Sequence, residues 1–289
     1  MNKKEPIQKL NIKYDYKNKS HMEFLYKKYN SGNKIASFLN IDPKTVYIWM
    51  KKHKIISNTG TQGARKHFFD ERYFEKIDKP EKAYLLGFII ADGCVYNGSN
   101  ETSFRFQMNL KESDSHVLDF LQKEIGSDYK IQFKEVSAKK NSNKSKVALL
   151  KINSTAFCKD LINLNVVPRK SMKESIPLDK IPDEFLRYFV LGYFDGDGSI
   201  SYTKSSPHIS ILGSKKMCEQ LNKIFVDNGI DQNVFFLHPN KKLFGLRINN
   251  TENKIKLYNF LYKDYVFFLK RKKETFDSFI LNKNCPLIK

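Results

Sequence analysis

The chain of 289 residues has only four cysteines, Cys94, Cys158, Cys218 and Cys285, and no two of them form a C-x-x-C pair. That scatter argues against a zinc site or a disulfide framework and points to a reduced, cytoplasmic setting. No run of 18 apolar residues occurs, and no apolar stretch follows a basic N-terminus. Membrane insertion and secretion are therefore not expected. Acidic residues are scarce: 31 Asp and Glu stand against 51 Lys and Arg, a formal charge of +20. Lysine as a default solvating residue accounts for many of these cations but not for the imbalance, which favours a polyanionic partner, nucleic acid foremost. The excess is uneven: residues 1–67 hold 15 basic and 4 acidic side chains, a net +11. There is a single tryptophan, Trp49, and it and most of the 23 phenylalanines are assigned to core packing.

What is present is a repeated phrase. Leu85-Leu86-Gly87-Phe88-Ile89-Ile90-Ala91-Asp92-Gly93 returns as Val190-Leu191-Gly192-Tyr193-Phe194-Asp195-Gly196-Asp197-Gly198. Each copy is apolar, carries a small pair four residues apart (Gly87/Ala91, Gly192/Gly196), and ends in Asp-Gly. Glycine inside a helix costs about 1 kcal/mol against alanine, a cost accepted where a neighbouring backbone comes close. Two helices packed through these small residues bring Asp92 and Asp197 together at one end. Adjacent carboxylates repel unless a cation lies between them, which is the arrangement of metal-assisted phosphodiester hydrolysis.

The rest of the chain repeats around these phrases. After the first come a polar turn at Tyr96–Asn100, a strand at Phe104–Leu110, a helix from about Ser113 to Gly126, strands near 130–136 and 146–152, and a helix at 156–164. The second half matches with a strand at His208–Leu212, a helix at 215–228, strands near 233–237 and 244–248, and helices from about Glu252. Lys151-Ile152-Asn153 echoes Arg247-Ile248-Asn249, and Pro168-Arg169-Lys170 echoes Lys270-Arg271-Lys272. The fold class is α+β, an α-β-β-α-β-β-α unit present twice in tandem, with a small all-α module in front. In that module Ser20–Tyr29 is a first helix and Ile35, Ala36 and Leu39 mark a second. Asp42-Pro43 starts a third, with Val46, Trp49 and Met50 inward and Lys44, Thr45, Tyr47, Ile48, Lys51 and Lys52 outward. This resembles a helix-turn-helix, with Asn40 in the turn. The expected division is 1–57 module, 58–78 linker, 79–186 first repeat and 187–289 second repeat.

Base readout uses side chains two apart on one strand face. Alternation proposes Asn100, Ser103, Arg105, Gln107, Gln132 and Lys134 in the first repeat, and Tyr202, Lys204, His208, Ser210, Asn233 and Arg247 in the second. Lys139 and Lys140, and Lys241 and Lys242, lie in basic loops between strands.

Two such motifs at this spacing, with strand-rich basic segments and a late Arg-Lys after each, resemble the LAGLIDADG homing endonucleases in their single-chain, two-repeat form. The resemblance covers residues 79–289. It implies pseudo-symmetric, saddle-shaped antiparallel sheets in the DNA major groove, and a monomer that cuts both strands of a long, nearly non-palindromic duplex site to leave short 3′ overhangs. It implies Asp92 and Asp197 as ligands of Mg²⁺ or Mn²⁺, with the carbonyls of Ala91 and Gly196 sharing the metals. It also implies a lysine near each scissile phosphate: Lys170 and Lys272 by offset from the aspartates, with Lys173, Lys180, Lys270 and Lys273 as rivals. Ile90 stands where the family often has Asp, while Asp195 keeps it. Gly93 and Gly198 are expected to let the chain turn sharply out of each helix. An RNA maturase of the same fold, or a non-cutting regulator on the same scaffold, are the alternatives; retention of both aspartates favours cleavage. An intein is disfavoured by Met1 and by the ending Pro286-Leu287-Ile288-Lys289.

Overall fold

A computed structural model describes residues 14–29, 31–55, 67–97, 103–137, 144–168, 173–203, 206–238 and 243–281. It divides into two compact units, Met1–His67 and Phe68–Lys289.

The smaller unit holds three helices, α1 (Lys19–Tyr29), α2 (Gly32–Leu39) and α3 (Pro43–Lys52). Met22, Leu25, Ile35, Ala36, Val46 and Met50 form its core. Both later helices start on a side-chain cap: Ser31 accepts from the Lys34 N–H, and Asp42 accepts from the Lys44 N–H at 2.7 Å, with Pro43 at the first helical position. Asn40 ends α2 in the left-handed region (φ 53°), the conformation its short amide tolerates. Trp49 departs from the inward assignment. It is half-buried, with Lys52 Nζ 4.4 Å above its ring.

The large unit repeats one pattern twice. The first half is α4 (Pro80–Asp92), β1 (Gly93–Asn97), β2 (Phe104–Lys111), a short 3-10 turn at Glu112–Asp114, α5 (His116–Glu124), β3 (Gln132–Ser137), β4 (Lys144–Asn153) and α6 (Thr155–Asn163). The second is α7 (Asp183–Asp197), β5 (Gly198–Thr203), β6 (Ser206–Gly213), α8 (Lys215–Asp227), β7 (Val234–Leu237), β8 (Phe244–Ile248), α9 (Thr251–Tyr262) and α10 (Lys270–Ile280). Each half forms a four-stranded antiparallel sheet with the same strand order, β1-β2-β4-β3 and β5-β6-β8-β7. The inner sheet faces, with Val95, Phe106, Met108, Leu150 and Ile152 in one and Ile209, Ile211, Leu246 and Ile248 in the other, join α4 and α7 in one continuous core. Phe74 is fully buried there and Tyr73 and Ile77 nearly so, with Phe69 packed against it. The segment expected as a 58–78 linker is therefore anchored in the large unit from residue 68 on, while 58–66 lie outside the described residues.

Candidate active site and nucleic-acid interface

α4 and α7 make the most extensive helix–helix contact among the described elements. Their small residues set the distance. A Cβ on Gly87 would collide with the Phe189 carbonyl, one on Gly192 with the Tyr84 carbonyl, and one on Gly196 with the Ala91 methyl. Adding 105 to a residue number in the first motif gives its counterpart in the second, so the Gly87–Phe189 and Gly192–Tyr84 contacts are equivalent contacts related by the internal repeat. Gly93 and Gly198 have extended φ of −78° and −74°, open to any residue. Their need is for space, not for an unusual turn: a Cβ on Gly93 would lie 2.8 Å from the Ile89 carbonyl oxygen, and one on Gly198 would press into Phe194.

This packing brings the two motif carboxylates to the same end. Asp92 Oδ2 lies 3.5 Å from the point a Cβ on Gly196 would occupy. Asp92 is exposed and Asp197 half-exposed. Next to them Lys272, 6% exposed, points its ammonium at the Phe194 and Gly196 carbonyl oxygens, 2.8 and 3.0 Å away. Burial pulls the Lys272 pKa down to about 8, against the attraction of Asp195, Asp92 and Asp197. The Gly196 carbonyl thus seats Lys272 with one of its two lone pairs. Ala91, its counterpart, is half-buried.

Asp195 is 1% exposed, and its Oδ2 accepts from Tyr84 Oη at 2.8 Å and from the Leu269 N–H at 2.7 Å. Burial raises its pKa to about 7. Arg271 reaches Asp114 of the first repeat with Nε and Nη2, each 3.0 Å from a carboxylate oxygen. The rival lysines are placed elsewhere. Lys180 donates to Asn163, Lys273 pairs with Asp277 beneath the rings of Tyr258, Tyr262, Tyr265 and Phe268, Lys270 pairs with Glu274 at the surface, and Lys173 is exposed. Lys170 lies outside the described residues.

Among the described residues no group of three or more His, Cys, Asp or Glu side chains clusters in metal-binding range. Two carboxylates are what the site offers. That donor set fits a hard divalent cation, which commonly takes one or two carboxylates and completes its shell with water and substrate phosphate.

Strand register defines the outer sheet faces. In the first sheet the outer rows are Cys94–Gln107–Lys151, Tyr96–Arg105–Asn153, Asn109–Leu149–Gln132 and Lys111–Val147–Lys134. Arg105, Gln107, Gln132 and Lys134 thus share the face that alternation assigned them, and Ser103 is exposed just before β2. Arg105 stacks over the Tyr96 ring at 5.4 Å. In the second sheet the rows are Ser201–His208, Ser199–Ser210–Arg247–Val234 and Leu212–Gly245–Phe236. Arg247 stacks over Phe236 at 5.1 Å.

Two expected readers move. Ser201, not Tyr202, stands opposite His208; the Tyr202 backbone pairs with Pro207. Asn233 precedes β7, and its amide is spent on Ile230 O at 2.9 Å and Asn222 Oδ1 at 3.1 Å; Val234 takes the place beside Arg247. Asn109, Lys151, Asn153, Ser199 and Ser201 belong to these faces and were not anticipated. The missing signal was strand register: the repeat pattern holds two strands after each motif helix, but the bounds and pairing of the first of each, β1 and β5, were not assigned. Asn100, Lys139, Lys140, Lys204, Lys241 and Lys242 lie outside the described residues. In the small unit, the exposed side of α3 carries Lys44, Tyr47, Ile48, Lys51 and Lys52, with Thr45 half-exposed.

Residues 79–163 match the family model described as "LAGLIDADG-like domain". Among solved structures, the homing endonuclease I-WcaI bound to its DNA recognition sequence is 16% identical, with a TM-score of 0.51, over 77% of this chain and 97% of that one. I-DmoI in complex with DNA and Ca is 18% identical, with a TM-score of 0.49, over 68% of this chain and 97% of that one. A curated relative, the replication factor C small subunit of Methanocaldococcus jannaschii, is 26% identical over 254 residues, which are 86% of this chain; the chain spans 13% of that protein's length. The matched segment begins one residue before α4 and ends with α6, and the second half repeats its element and strand order. Residues 79–163 are thus similar to a LAGLIDADG-like domain, and the large unit as a whole shares the fold of a solved homing endonuclease.

Proposed function

We propose that this chain is a site-specific double-strand DNA endonuclease that hydrolyses phosphodiesters with a divalent metal held by Asp92 and Asp197. The observation that carries this reading is the meeting of two carboxylates, one from each repeat, at the tightly packed end of α4 and α7. A divalent cation held there supplies Lewis acidity and charge neutralisation. Asp92 and Asp197 orient the attacking water by accepting its hydrogen bonds. Lys272 places an ammonium beside Asp197, where it stabilises charge developing on the phosphate. Lys170 is assigned the same part beside Asp92 from its position after the first motif.

The outer sheet faces supply recognition. Arg105 and Arg247 match guanine edges or phosphates, and Gln107 and Gln132 match adenine. The two faces differ in chemistry, Arg, Gln and Lys on one against Ser, His and Arg on the other. This difference favours a nearly non-palindromic site; its length, a monomeric enzyme and short 3′ overhangs are what the family resemblance implies. The +11 of residues 1–67 and the basic, exposed face of α3 add flanking contacts to duplex DNA.

The test is incubation of the protein with a randomised plasmid library and Mg²⁺, followed by sequencing of the cut ends. A single recurrent site with paired breaks supports the reading. Absence of cutting, together with binding to a structured intron RNA, replaces it with a maturase.

A further inference from the structure

We propose that Asp195 is a positioning residue for one of the two cutting centres, acting with Tyr84 of the other repeat, so that the two DNA strands depend on different supporting residues. The proposal rests on the endonuclease reading for its strand-resolved consequence, but its structural core does not.

Leu269 stands at the N-cap position of α10 and has no side chain that can cap a helix. Asp195, from a different helix, fixes the N-cap residue itself, accepting the Leu269 N–H at 2.7 Å. A carboxylate at the positively polarised start of a helix is favourably placed. Lys272 sits in this first turn, its N–H bonded to Leu269 O at 3.0 Å. Its ammonium then turns back onto the carbonyls of Phe194 and Gly196, on either side of Asp195. The bond that fixes Leu269 thus fixes the turn carrying Lys272, and Tyr84 Oη fixes the same carboxylate oxygen from the first repeat. Arg271, 51% exposed, also ties α10 to the first repeat through the buried Asp114, but that pair touches neither the Leu269 N–H nor the Lys272 ammonium. The restraint through Asp195 is the one that bears directly on the turn carrying Lys272.

The same device is missing from the other centre. Counting back 105 residues, the counterpart of Asp195 is Ile90; counting forward, the counterpart of Tyr84 is Phe189, and both are buried. Neither carries a polar group able to reproduce the bond. A change at Tyr84, in the first repeat, therefore acts on the centre built around Asp197 and Lys272 in the second.

The experiment is single-turnover cleavage of a duplex labelled differently on its two strands, with Tyr84→Phe, Asp195→Leu and Asp195→Asn in the full chain. Asp195→Leu is expected to slow one strand by about 10²-fold, the scale of a misplaced catalytic group, while leaving the other within about twofold. Tyr84→Phe slows the same strand by a few-fold, so nicked duplex accumulates in both variants. Asp195→Asn restores most of the rate, because an amide oxygen accepts the same N–H. In parallel, acetylation of Lys272 is followed by mass spectrometry without DNA: it is slow in the wild type and about tenfold faster in Asp195→Leu and Tyr84→Phe, since release of the first turn exposes the amine. Equal slowing of both strands, or unchanged Lys272 acetylation, overturns the proposal. Faster acetylation in a protein that cuts no DNA sustains the positioning role and overturns the nuclease reading instead.

Discussion

The main-chain carbonyl of Tyr84 rests directly on Gly192, leaving no room for a Cβ. Because the obstacle is backbone on a buried helix, it cannot rotate aside. Gly192→Ala or Gly87→Ala must push α4 and α7 apart along their whole contact, at a cost of about 3 kcal/mol or more. Gly126 provides the contrast, with φ of 61° and nothing within 4 Å of an added Cβ. Gly126→Ala has only backbone strain to meet, about 1 kcal/mol. Urea denaturation of the three variants separates the two costs, and equal midpoints would contradict the packing argument.

Asp92→Asn and Asp197→Asn keep side-chain shape and remove charge. Each is expected to abolish double-strand scission while sparing DNA binding, since a negative charge near phosphate is gone. EDTA should do the same to the wild type. Gel-shift and cleavage assays on one duplex read both effects, and full cutting by the double variant or in EDTA defeats the metal mechanism.

Lys272→Met replaces an ammonium seated on two carbonyl oxygens with an apolar chain of similar length. Cleavage should slow by about 10²–10³-fold, as for loss of one electrostatic donor in a preorganised site. Binding affinity at fixed salt should change little. Rate and affinity falling in parallel would make Lys272 a binding residue only.

Cys158 and Cys218 are buried, their thiols pushed up to about 12 by burial, whereas Cys94 is half-exposed in the row Cys94–Gln107–Lys151 of the outer sheet face. Thiolates, not thiols, react. N-ethylmaleimide should therefore modify Cys94 well before the other two. If the outer face lies on DNA, target duplex should protect Cys94. Mass spectrometry of alkylated peptides decides this, and modification at the same rate with and without bound duplex places DNA elsewhere.

The exposed face of α3 makes a separate prediction. Lys44→Ala with Lys51→Ala removes two cations from that face, and the slope of log K against log salt should flatten by about 2 if both neutralise phosphate. An unchanged slope, measured by fluorescence anisotropy, removes α3 from the interface.

Much of this organisation was legible because it is local. The paired small residues and terminal aspartates announce two helices that pack closely, Asp42-Pro43 announces a capped helix, and Phe104, Phe106, Met108 and Leu110 alternate as a half-buried strand does. What escaped depends on distant partners. β1 begins directly at the end of α4 with Gly93 and closes with Asn97, too short to show its own alternation, so its bounds emerge only when β2 is laid beside it. Asn233 looks like a base reader at the edge of a strand, but its amide is captured by a helix and a turn that only the tertiary fold brings near. The bond between Tyr84 and Asp195 spans 111 residues and has no sequence signature.

That bond also gives the contact between the repeats a direction. Were two copies of the first half to associate with each other, each Tyr84 hydroxyl would face Ile90 and be left without an acceptor. Two copies of the second half would set each Asp195 against Phe189 and leave its buried carboxyl with the Leu269 N–H but without the tyrosine donor. An unsatisfied buried polar group costs about 1–3 kcal/mol, so a pair of first halves would bury two such hydroxyls and a pair of second halves would lose two hydrogen bonds to buried carboxyls. A chain descended from a symmetric pair of identical halves would, once these two side chains had diverged, be barred from returning to one: each half has become a poor partner for itself and a good one only for the half it is fused to.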